Sequence, residues 1–111
     1  MSMVNAEHYT FRVRWSAEDD AYVGTVAEMP SLSWLAGTQL DAFSGIRALV
    51  NDILEDMAVG GETPPQPIGD RAYSGNFMVR LTPETHRRLA IEAAEQQVSL
   101  NRLVASRLAG V

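Results

Sequence analysis

The chain has 111 residues, no cysteine and a formal net charge of −5 at neutral pH. That length suits one ordinary domain or two very small ones, and the smaller piece would need oligomerisation to be stable. The missing cysteines exclude disulfides and thiolate metal sites; with no signal-like apolar start and no run of membrane-spanning length, they favour a reducing cytoplasm and no membrane contact.

Residues 1–6 read as a frayed start. From His8 to Trp15 the chain alternates, with Tyr9, Phe11, Val13 and Trp15 on one face and Thr10, Arg12 and Arg14 on the other, which is the pattern of a half-buried strand. Glu18-Asp19-Asp20 makes a turn, and a second strand from Tyr22 to Glu28 follows closely enough to pair with the first as a hairpin. Met29-Pro30-Ser31 breaks it, Leu32 to Ala36 forms a third short strand, and Gly37 turns the chain into a helix. Thr38 with Asp41 three residues later is a capping box, and Phe43, Ile46, Val50, Ile53, Leu54 and Met57 keep an apolar stripe, so the helix should run from Gln39 to about Ala58. Ser44, Arg47, Asn51, Asp52 and Glu55 fall on its opposite side. Gly60-Gly61-Glu62-Thr63-Pro64-Pro65-Gln66-Pro67 can neither continue a helix nor form a central strand and reads as a partly extended linker. Residues 1–58 are thus an α+β module with a small three-stranded antiparallel sheet and one helix, and residues 59–73 are linker.

The last segment, residues 74–111, changes character. Asn76 to Leu81 alternates again, placing Phe77, Val79 and Leu81 on one face and Asn76, Met78 and Arg80 on the other. Thr82 is an N-cap, Pro83 opens a helix running to about Gln96, and Leu89, Ala90, Ala93 and Ala94 share one side of it. Gln97-Val98 connects to a second helix capped by Ser99, with Leu100, Leu103, Val104 and Leu108 at helical spacing, ending at Ala109-Gly110. One strand and two short helices are marginal alone. A second copy solves this: two strands pair antiparallel as a ribbon over four helices, with Phe77, Val79, Leu81, Leu89, Leu103 and Val104 in the dimer core.

SGNFMVRLTPETHRRLA followed by VSLNRLV resembles the ribbon-helix-helix DNA-binding domain at the C-terminus of HicB-type antitoxins. The resemblance implies that Asn76, Met78 and Arg80 enter the DNA major groove and that Ser99, Leu100 and Asn101 grip phosphate. Physical chemistry allows both roles. A two-stranded ribbon fits the major groove, Arg pairs bidentately with guanine, Asn with adenine, and Met touches a thymine methyl; a helix N-terminus offers free N–H groups to phosphate. YTFRVRW, DAYVGTVAEMPSL and AGTQLDAFSGIRALV resemble, more loosely, the N-terminal domain of the same family, a partial RNase H-like fold. Where many relatives carry a Pro-Gly-Cys turn after the second strand, this chain has Glu28-Met29-Pro30-Ser31-Leu32-Ser33-Trp34.

Charge is divided along the chain in a way that fits. Residues 1–70 hold three Arg against eleven acids and residues 71–111 hold six Arg against three, or −8 and +3. Phosphate attraction depends on the local charge rather than the total. Every basic side chain is Arg, which codon usage in a high-GC genome explains as well as a need for bidentate contacts.

Catalytic signatures are weak. Asp19, Asp20, Glu28, Asp41, Asp52 and Asp56 invite comparison with a two-metal nuclease, but they fall in a turn, in a helix cap and on a solvated helix side. His8 and His86 lie in different modules with no nucleophile nearby, and His86 reads as a packing residue of the dimer core. Gly60-Gly61 has no strand before it and no helix after it, so it is not a phosphate loop. Trp15 and Trp34 are expected in the core, with an exposed contact surface as the alternative. The resemblance implies a non-enzymatic antitoxin without cofactor or metal, whose acidic module occludes a basic, mRNA-cleaving toxin of the HicA type and whose C-terminal dimer, or a higher homo-oligomer, binds operator DNA as a repressor. The residues also allow a solitary regulator whose N-terminal module senses a ligand or sets oligomeric state.

Overall fold

The computed structural model describes residues 4–110. The chain divides into two compact units, Met1–Tyr73 and Ser74–Val111.

The first unit is a three-stranded antiparallel sheet, β1 (Phe11–Ser16), β2 (Ala21–Val26) and β3 (Ser33–Ala36), in the order β1-β2-β3, with α1 (Gln39–Val59) on one face. The strand expected from His8 starts later because a 3-10 turn at Ala6–His8, capped by Asn5, takes its first residue. Asp20 turns the hairpin in the left-handed region at φ 49°, and the Ser16 hydroxyl donates to Asp19 at 2.9 Å. The register sets Phe11 opposite Val26, Val13 opposite Gly24 and Trp15 opposite Tyr22, then Gly24 opposite Trp34 and Tyr22 opposite Ala36. These residues therefore share the face beneath α1. Gly24 is what lets the helix come close, since a Cβ there would sit 2.6 Å from the Ala42 carbonyl.

Thr38 caps α1 by accepting from the Asp41 N–H at 3.0 Å. Ala42, Ile46 and Val50 are fully buried, and Ile46 and Val50 pack with Tyr9, Val26 and Met29, bordered by Ile53, Leu54 and Met57. Gly61, at φ 72°, ends the helix in a left-handed turn closed by the Glu62 N–H on the Met57 carbonyl.

Residues 59–73, expected as linker, are folded onto this unit as a strap. The Tyr9 hydroxyl donates to the Pro65 carbonyl at 2.7 Å, His8 Nδ1 lies 2.7 Å from Asp70 Oδ2, and Pro67 is fully buried. Ile68–Asp70 forms a 3-10 turn. Glu28 is the central tie, accepting from the Ile68 N–H at 2.9 Å, the Thr10 N–H at 2.8 Å and the Thr10 hydroxyl at 3.1 Å. Burial pushes this carboxyl up, but the Ile68 and Thr10 donors outweigh it and hold it below its ordinary value. The Tyr9 phenol is pushed up, first by burial and then by the Glu28 charge.

The second unit is a helical hairpin, α2 (Pro83–Glu95) and α3 (Leu100–Ala109), preceded by an extended segment. Thr82 and Ser99 cap the helices by accepting from the Thr85 and Arg102 N–H groups. Gln97 takes φ 59° after α2, with its N–H on the Ala94 carbonyl and the Val98 N–H on the Ala93 carbonyl, a Schellman closure. Ala93 and Leu103 are buried, whereas Ala90 and Ala94 of the expected stripe are exposed. Glu92 and Arg107 pair across the two helices.

Asn76–Leu81 forms no strand in the single chain, and every residue from 71 to 84 is exposed. A strand is completed by backbone hydrogen bonds to a neighbour, and among the described residues of this unit none makes them with this segment. No helix among the described residues is long and apolar enough to cross a membrane.

Candidate nucleic-acid interface

Within Ser74–Val111 the extended segment and the two helices enclose an open groove of about 510 Å³. Phe77, Val79 and Leu81 line it from the segment, Leu89 and His86 from α2, and Leu100, Val104 and Leu108 from α3. Five of the six residues expected in a dimer core are thus brought together. The sixth, Leu103, is already buried within the single chain, so its burial needs no partner.

The groove is apolar and unfilled. Phe77 is 77% exposed and Val79 and Leu81 are about half exposed, although they are the apolar half of the alternation. Asn76, Met78 and Arg80 are exposed as well, and Met78 reaches 84%. Large side chains are thus in water on both sides of one six-residue stretch, which a folded domain seldom leaves so.

The residues expected at phosphate divide differently. Ser99 Oγ accepts from the Arg102 N–H at 3.0 Å, so its side chain is engaged in capping. Leu100 and Asn101 contribute to the groove wall, and their N–H groups are the first of α3, with no carbonyl one turn back to receive them. His86 also lines the groove, consistent with a packing role.

In the first unit the two tryptophans correct the expectation of core placement: Trp15 is 51% and Trp34 44% exposed. Trp15 stands on an outer strand, edge-on to Tyr22 with ring centroids 5.1 Å apart, and Trp34 stands on the other outer strand against Gly45 of α1. A three-stranded sheet under one helix has no layer to cover both flanks. Sequence reasoning missed Glu28, His8 and Asp70 as structural ties, because their partners lie 18 to 62 residues away and local spacing carries no trace of them.

Residues 60–108 match the family model of the HicB family. The match supports a HicB-type chain. It spans the strap of the first unit, the extended segment and both C-terminal helices, while the sheet and α1 lie before it. Searches of curated proteins and of solved structures return no match.

Proposed function

We propose that this chain is an antitoxin that represses its own operon. Two copies pair their Asn76–Leu81 segments antiparallel, forming a ribbon-helix-helix dimer in which Phe77, Val79 and Leu81 of each chain fill the groove of the other. Asn76, Met78 and Arg80 then face outward from the ribbon and read base edges in the major groove, while the first amides of α3 hold phosphate. The first unit, with its excess of carboxylates, covers a small basic toxin of the HicA type and inhibits it by occlusion. No residue of this chain is required to do chemistry in that scheme.

One observation carries the reading: an alternating segment with no backbone partner among the described residues lies beside an empty groove lined by apolar residues of its own unit. The HicB match over residues 60–108 supports the antitoxin assignment. The test is a titration of the purified protein into a labelled fragment of its own upstream DNA, across a range of salt and against a scrambled fragment. Tight, selective and salt-dependent binding is expected; equal binding to both fragments sinks the repressor assignment. A short basic reading frame beside the gene, whose product co-purifies with this chain, is the expected outcome for the toxin. Its absence leaves the solitary regulator.

A further inference from the structure

Three of the four arginines in Met1–Tyr73 stand on β1 or against it, in a unit with eleven carboxylates. Arg12 and Arg14 project from one face of β1, both exposed and in no ion pair among the described residues. Arg47 of α1 lies over the opposite face, its guanidinium carbon 5.9 Å from the Phe11 ring centroid and 5.7 Å from that of Phe43. The fourth, Arg71, is engaged with the Gln66 carbonyl. Positive charge in this acidic unit is therefore gathered at one strand.

That strand is an edge. Among the described residues the sheet order leaves one side of β1 without a neighbouring strand, and the strap's hydrogen bonds go to His8 and Tyr9, before β1, and to Glu28, after β2. Because the Thr10 carbonyl accepts from the Ala27 N–H, strand alternation turns the N–H and C=O groups of Phe11, Val13 and Trp15 toward the open side. The same residues hold the aromatic face, where Phe11 meets Phe43 edge-on at 5.9 Å and Trp15 is half exposed. No proline interrupts the six residues of β1.

Charge decides what can pair there. A second copy of β1 running antiparallel about Val13 would set Arg12 opposite Arg14 and Arg14 opposite Arg12, with like charges facing directly. A strand with carboxylates at those positions removes the conflict. We propose that the open edge of β1 takes an extended segment of a partner protein, with acidic side chains opposite Arg12 and Arg14 and apolar side chains against Phe11, Val13 and Trp15. The site is independent of the DNA reading.

Full-length protein is titrated with an end-blocked peptide of about eight residues alternating Glu and Val, long enough to span the strand, and with its Lys-Val counterpart. The Glu-Val peptide is expected to shift tryptophan fluorescence, to slow hydrogen exchange at the Val13 and Trp15 amides, and to bind at least about tenfold tighter than the Lys-Val peptide. Methylating alternate peptide amides on the pairing edge should abolish binding, which separates strand addition from charge attraction. The exposed double variant Arg12→Glu/Arg14→Glu should reverse the preference. Equal binding of the two peptides, no binding of either, or protection at Ser33–Ala36 in place of β1 overturns the proposal.

Discussion

Glu28 holds together parts of the chain that no local pattern links. Its carboxylate receives the Thr10 and Ile68 N–H groups, joining the start of β1 to the strap that follows α1. A carboxyl depressed in the folded state stabilises it above the ordinary value of 4.5. That contribution is lost as pH falls through the lower folded value. Exchange at the Ile68 amide, taken relative to its intrinsic rate at each pH, should therefore accelerate only on the acid side of 4.5 in the native protein. In Glu28→Gln it should already be fast at neutral pH, with a loss of about 1 kcal/mol once solvent screening is allowed for. Unchanged exchange at Ile68 in the variant would remove Glu28 from this role. Gly45 gives a second test with an unusual sign. An exposed helical Gly→Ala change ordinarily stabilises by about 1 kcal/mol, but here a Cβ would run into the Trp34 indole. Gly45→Ala should instead lower stability by about 1–3 kcal/mol and shift tryptophan fluorescence, as read by denaturant unfolding. A stabilised variant would show that Trp34 moves aside freely.

Element by element, what was legible in the sequence was what is local. Thr38, Thr82 and Ser99 are read as caps because a cap depends on the next three residues, and each accepts the amide expected of it. The α1 stripe is read because Ile46 and Val50 recur at helical spacing. Long-range structure was not legible: the strap reads as linker because Gly and Pro say only what a segment cannot be, while Tyr9, Glu28 and His8 bind it from far away in sequence. In the candidate site, Phe77, Val79 and Leu81 were read from alternation and do gather at one groove, whereas Leu100 joined them there because helix rotation, not sequence order, chooses the wall. Helices of 13 and 10 residues gain little stability from propensity alone. If the dimer supplies the rest, Phe77→Ala should remove about 3 kcal/mol per chain and drive the C-terminal unit toward monomer with loss of helical signal. Sedimentation and circular dichroism check both at once; a folded, dimeric variant means the faces of the segment are reversed.

Over the whole molecule, the charge of −5 conceals −8 over residues 1–70 and +3 over residues 71–111. A net anion binds DNA only if its positive part acts locally, so salt is the informative variable. Each phosphate neutralised should contribute a slope of about −0.9 in log affinity against log salt. Contacts that read sequence and contacts that only hold the backbone then separate by what their loss does to specificity. Arg80→Ala should cost about 1–3 kcal/mol on operator DNA and much less on scrambled DNA, so that discrimination flattens. Ser99→Ala, which removes the cap that sets the first turn of α3, should weaken binding to both by a similar factor. Measured together across salt, the two variants place the reading function on the segment and the anchoring function on the helix start. Should Arg80→Ala leave operator affinity and discrimination intact, the paired segment serves dimerisation alone, and sequence reading must be sought among the other five arginines of residues 71–111.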